Sequence, residues 1–133
     1  MKRDHLVPLS KQAVAVLEKL RAYSGKGQYV FPSYRSETVP FGKTALQRAI
    51  RVMGFEGEEM CPHGFRSMAS TLLNELGYNA DWIERQLAHI PHGQVRGIYN
   101  RAEYLPERSR MLQEWADYLD KLRKKARQEI DNE

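Results

Sequence analysis

The sequence predicts a mainly α-helical fold with a short residual β-strand at the N-terminus, on three observations. Apolar residues recur at spacings of three and four in separate stretches, the period of one helix face. Those stretches open on a capping residue or a proline, and several close on glycine, as helices do. What lies between them is short, polar and rich in Ser, Gly and Pro, which is loop composition. With 133 residues, no internal repeat and no low-complexity tract, the chain is expected to form one domain over residues 1–133.

Residues 5 to 9 suit the short strand, stopped by Pro8, after which Ser10 stands as the cap of a helix with Val14, Leu17 and Leu20 on one face. Ser24-Gly25-Lys26-Gly27 marks its exit. Tyr29 to Pro32 reads as a brief extended piece, and Ser33 to Pro40, which lacks periodicity, as a surface loop. A second helix sets Leu46, Ala49, Ile50 and Met53 on one face, throws Lys43, Gln47, Arg48 and Arg51 to the other sides, and ends at Gly54. Pro62 starts a third, with Phe65, Met68, Ala69, Leu72 and Leu76 as its apolar positions and Gly77 as its stop. Asn79 caps a shorter helix through Trp82, Ile83 and Leu87, and the chain turns at Pro91-His92-Gly93 before a short helical piece holding Val95 and Ile98. A terminal helix over residues 106–127 carries Leu112, Trp115, Leu119 and Leu122 close to a heptad seam, and residues 128–133 form a solvated tail.

Charge and composition narrow the function classes. Lys and Arg number 21 against 17 Asp and Glu, a formal net charge of +4 with a pI near 9.3, which favours a polyanionic partner. The single cysteine, Cys61, has no partner for an internal disulfide. No stretch approaches the ~20 apolar residues of a membrane span, and the opening Met1 to Leu9 holds no secretory signal. A reducing, cytoplasmic setting is the expectation.

The chemistry concentrates in three separated stretches. His63 and Arg66, three apart in Pro62-His63-Gly64-Phe65-Arg66, project from neighbouring positions of a helix and can reach one small anion together. Arg supplies a planar fork of donors suited to two phosphate oxygens. Such a pair is common on ordinary surfaces. His89 follows at the end of Ile83-Glu84-Arg85-Gln86-Leu87-Ala88-His89, and Tyr99 lies within Val95-Arg96-Gly97-Ile98-Tyr99-Asn100-Arg101-Ala102-Glu103-Tyr104-Leu105. A lone Tyr near a helix end is more often an amphipathic core-edge residue than a nucleophile. The order His-x-x-Arg, then His, then Tyr changes that balance, because it resembles the order in tyrosine recombinases. From His5 to Arg123 the chain is similar to prophage integrases of the satellite-phage type.

The resemblance implies the DNA breaking-rejoining enzyme fold and a carboxy-terminal fragment of a tyrosine-recombinase catalytic domain. It further implies site-specific DNA recombination, in prophage integration and excision, through a 3′-phosphotyrosyl intermediate, with no metal or other cofactor because the covalent link stores the bond energy. Tyr99 would be the nucleophile, Arg66 the second arginine on the non-bridging oxygens, His63 a proton-handling partner of the phenol, and His89 a further donor to the phosphate. A phenol of pKa about 10 is protonated at neutral pH, so its activation must come from the site. The family also uses an arginine on an earlier helix and a lysine in a β-hairpin. By register that lysine falls one residue before Met1, which makes Lys2 a flanking basic residue and the isolated fragment poorly active or inactive. Ala88 stands where glycine is usual beside the histidine, and the spacing from His89 to Tyr99 is one residue longer than in the commonest recombinases. Tyr104 competes on paper, but Leu105 and Pro106 open the last helix directly behind it.

Lys43, Thr44, Gln47, Arg48 and Arg51 resemble the recombinase helix that lies against the major groove beside the cleavage site, Lys and Arg on phosphates and Gln47 and Arg48 within reach of base edges. A solvated basic face is the plainer alternative. Expected partners are double-stranded DNA at attachment sites and other integrase protomers in a synaptic tetramer, where the terminal stripe either packs on its own domain or docks on a neighbour. The rival readings are a non-catalytic DNA-binding regulatory module, a small zinc site from Cys61, His63, His89 and His92, and a purely structural helical domain.

Overall fold

In a computed structural model, residues 5–88 and 103–132 are described. The chain divides into two compact units, residues 1–13 with 72–133, and residues 14–71.

In the first unit α4 (Ala80–Gln86) packs against α5 (Leu105–Asp131). Asn79 caps α4 as expected: its backbone is extended and its Oδ1 accepts from the Asp81 amide at 2.8 Å. The core is Leu73, Ile83 and Met111, with Tyr78, Trp82, Leu87 and Trp115 packed around it. On α5 the inward stripe is therefore Arg108, Met111 and Trp115; of the expected seam only Trp115 packs on this core, Leu112 is half-buried, and Leu119 and Leu122 remain exposed. The helix also runs beyond residue 127 into the expected tail, because Lys, Arg, Gln and Glu are good helix formers and Lys125 pairs with Glu129 one turn on.

The N-terminal segment 5–10 forms no strand, which corrects the expectation for residues 5 to 9. Its carbonyl at Leu6 is taken by a side chain, Arg108 Nη2 at 2.7 Å, and Pro8 has no N–H for a ladder. Ser10 then caps α1 (Lys11–Ser24), its Oγ accepting from the Ala13 amide at 3.2 Å.

The second unit holds the sheet, at a different place from the one expected. β1 (Pro32–Ser33) and β2 (Ser36–Pro40) form an antiparallel hairpin where a loop was expected. What holds it is local side-chain bonding rather than an alternating pattern. Ser33 Oγ accepts from the Arg35 amide at 3.3 Å, Ser36 and Thr38 share a hydroxyl bond at 2.9 Å, and the Phe31 and Phe41 rings meet edge-on at 5.7 Å across the base. Neither Tyr34 nor Arg35 takes a positive φ, so the turn lacks the primed geometry that matches strand twist, and the register slips between Pro32 and Ser33. α2 (Ala45–Val52) follows and ends at Gly54, whose φ of +95° suits glycine. Of its expected apolar face only Ile50 is buried; Leu46 and Met53 stay exposed. α3 (Pro62–Glu75) starts at Pro62 and stops before Gly77, at φ +82°, as the sequence predicts.

Candidate active site and nucleic-acid face

Residues 62 to 66 open α3, so His63 and Arg66 stand one turn apart on the same helix. Pro62 at the first position needs no amide partner, and Cys61 closes the start: its carbonyl and Sγ both accept from the Gly64 amide, at 2.9 and 3.3 Å. His63 is exposed and Arg66 half-buried, which leaves the imidazole open to an incoming group. The positive end of the helix dipole lies at the same place and adds to the cationic field.

His89 and Tyr99, with His92, the turn at Pro91, the helical piece of Val95 and Ile98, and Lys2, lie outside the described residues. The described flanks do bear on that segment. Ala88, directly before His89, has φ +49°, the left-handed region in which glycine is favoured, so the usual glycine at this position has a backbone reason. On the far side Tyr104 also has φ +48° and occupies the cap position of α5, with Pro106 behind it.

A group that the sequence reading passed over joins these flanks. Arg108 is fully buried, and its guanidinium donates to Gln86 Oε1 at 2.8 and 3.0 Å, to the Glu103 carbonyl at 3.0 Å and to the Leu6 carbonyl at 2.7 Å. Arg85 forms an ion pair with the Glu103 carboxylate beside it, and His5 Nε2 meets the Gln86 carbonyl at 3.3 Å. Burial, then the charge of Arg85, holds Arg108 below the ordinary guanidinium range. The signal for it in the sequence was an arginine in register with Met111 and Trp115 on the inward stripe.

The expected nucleic-acid face separates into two kinds of side chain. Gln47 and Arg48 are exposed on α2, and Lys43 and Thr44 lie exposed on the turn leading into it. Arg51 is different. Its Nη1 donates to the Phe55 carbonyl at 2.5 Å and the Met60 carbonyl at 3.2 Å, tying down the acidic connection to α3. Among the described residues no three His, Cys, Asp or Glu side chains group as metal ligands, and no helix is long and apolar enough to cross a membrane.

A family model for the phage integrase family matches residues 1–105. The chain belongs to the phage integrase family. The chain is 44% identical over 119 residues to a protein named prophage integrase IntA of Escherichia coli K12, with 90% of this chain and 29% of that protein covered. It is 43% identical over 128 residues to the integrase of Enterobacteria phage P4, covering 94% of this chain and 29% of the relative. The integrase of Shigella phage Sf6 is 42% identical over 120 residues, covering 90% and 31%. The chain thus spans just under a third of the length of these curated relatives. No solved structure gives a significant match.

Proposed function

We infer that this integrase acts in site-specific recombination of DNA, in prophage integration and excision, by cleaving one strand at a time through a 3′-phosphotyrosyl link. The observation that carries the reading is the family match across residues 1–105 together with His63, Arg66, His89 and Tyr99 in the family's order. His63 and Arg66 one turn apart on α3 support it, because a single phosphate can be met by both.

In this mechanism the Tyr99 oxygen attacks the scissile phosphorus as the phenol gives up its proton, with His63 as the proton-handling partner. The bond to the 5′ oxygen then breaks and that oxygen leaves protonated. Arg66 and His89 donate to the non-bridging oxygens, where charge accumulates in the five-coordinate state. Pre-oriented cationic donors there are worth several kcal/mol over water. A second strand's 5′ hydroxyl reverses the step and frees Tyr99. The family's mechanism also uses a further arginine and a hairpin lysine, the lysine protonating the leaving 5′ oxygen. Double-stranded attachment-site DNA is the substrate, other protomers of a synaptic tetramer are the partners, and the bacterial nucleoid is the place of action.

The full-length integrase, incubated with a nicked attachment-site substrate that traps the cleaved state, is expected to give a denaturation-resistant protein–DNA adduct. Tyr99→Phe should abolish the adduct and leave binding within about twofold. An adduct that survives Tyr99→Phe overturns the assignment of the nucleophile. Binding without any adduct from the unaltered protein identifies a regulatory module instead.

A further inference from the structure

The turn of the hairpin and the start of α2 enclose a concavity of about 540 Å³, lined by Ser33, Tyr34, Arg35, Thr44 and Arg48 among others. Two arginines and three hydroxyl-bearing residues are among its lining, and no acid is. The surroundings keep the same sign: from Lys19 to Arg51 the chain has seven Lys and Arg and a single acid, Glu37. Glu37 sits elsewhere, its carbonyl and Cβ at 3.6 and 3.9 Å from where a Gly27 side chain would begin.

Arg35 is held in a posture that suits an oxyanion. Its Nε donates to the Tyr34 hydroxyl at 2.5 Å, and its guanidinium carbon stands 5.1 Å from the centroid of the Tyr34 ring. Both contacts are to a neutral partner on an exposed turn, and Tyr34 and Arg35 are themselves exposed. The two terminal nitrogens of Arg35 carry no hydrogen bond among the described residues, and neither Arg35 nor Arg48 is in an ion pair there. A cation such as Arg35, held by its neighbour yet left without an anion, is what a phosphate-binding surface requires. Because the hydroxyls and both guanidinium groups come from a two-stranded turn and the following helix of one unit, the site is complete within residues 32–48.

We propose that this concavity seats a backbone phosphate of double-stranded DNA, with Arg35 and Arg48 donating to its non-bridging oxygens and Tyr34 holding the Arg35 fork in place. This rests on the reading of α2 as a DNA face and extends that face to the hairpin. It also redistributes the work within it, since Arg51 is engaged with carbonyls and Arg35 supplies a second phosphate-binding cation.

The test is the salt dependence of binding by the full-length integrase to a mixed-sequence duplex, where each phosphate neutralised contributes about 0.9 to the slope of log affinity against log salt. Arg35→Ala should lower the slope by about one and weaken binding roughly tenfold at moderate salt, with an unchanged melting temperature. Arg35→Lys should keep the slope and lose part of the affinity, because a point charge replaces the fork. Lys19→Ala, a cation on α1 outside the concavity, should leave the slope unchanged. A wild-type slope in Arg35→Ala while Arg48→Ala lowers it overturns the hairpin site and leaves α2 as the DNA face. Wild-type slopes in both overturn the DNA reading of α2 as well. An equal fall in Lys19→Ala traces the effect to net charge and also overturns the site.

Discussion

Arg108 shows how one side chain can matter to a unit without touching the chemistry. A guanidinium with no exposed surface is tolerated only because oxygens of Leu6, Gln86 and Glu103 surround it. Arg108→Met keeps the volume and stem while leaving those three oxygens without their donor. A loss of about 3 kcal/mol in unfolding free energy is expected from denaturant titration. A loss below about 1 kcal/mol would show that water replaces the guanidinium at little cost. Arg51 makes the complementary case. Because its Nη1 donates to the Phe55 and Met60 carbonyls, Arg51→Ala is expected to cost about 1 to 2 kcal/mol of stability. Its effect on the salt slope of DNA binding should be smaller than that of Arg48→Ala. Equal slope changes with unchanged stability would place Arg51 among the phosphate contacts.

At the scale of elements, the sequence was most legible where backbone chemistry is local. Ser10, Pro62, Gly77 and Asn79 each mark a helix boundary that the structure reproduces, because a cap, a missing N–H or a positive φ acts within a few residues of itself. Burial was less legible. The spacing of Leu46, Ile50 and Met53 identifies the apolar face of α2 but says nothing about what covers it, and only Ile50 is covered. The hairpin was missed for a related reason: it is built from Ser33, Ser36 and Thr38 hydroxyls and an aromatic pair, with no glycine turn and no alternating strand to announce it. Of the candidate site, the place of His63 and Arg66 on one helix face could be read from a three-residue spacing. The constraint on Ala88 could not, because an alanine gives no local sign of a left-handed φ.

At the scale of the molecule, the first unit joins its elements by polar ties as well as by its apolar core, and one of these titrates. Burial, then the hydrogen bond to Glu114 and the charge of that carboxylate, push the Tyr78 phenol up to about 12, against the pull of Arg110. A folded-state pKa above the unfolded value of about 10 means that the bond contributes its full stability below pH ~10 and loses it as the pH rises towards 12. Melting temperature should therefore fall across that window, and Tyr78→Phe should make the fall shallower. An identical fall in the variant would assign it to other groups.

The bond from Arg108 to the Leu6 carbonyl spans 102 positions of sequence. During synthesis, residues 5 to 10 leave the ribosome long before α4 and α5 exist to receive them, so this part of the unit forms only after Arg108 has emerged. The N-terminal segment must wait in an undocked state, and at 5–20 residues per second that wait lasts several seconds.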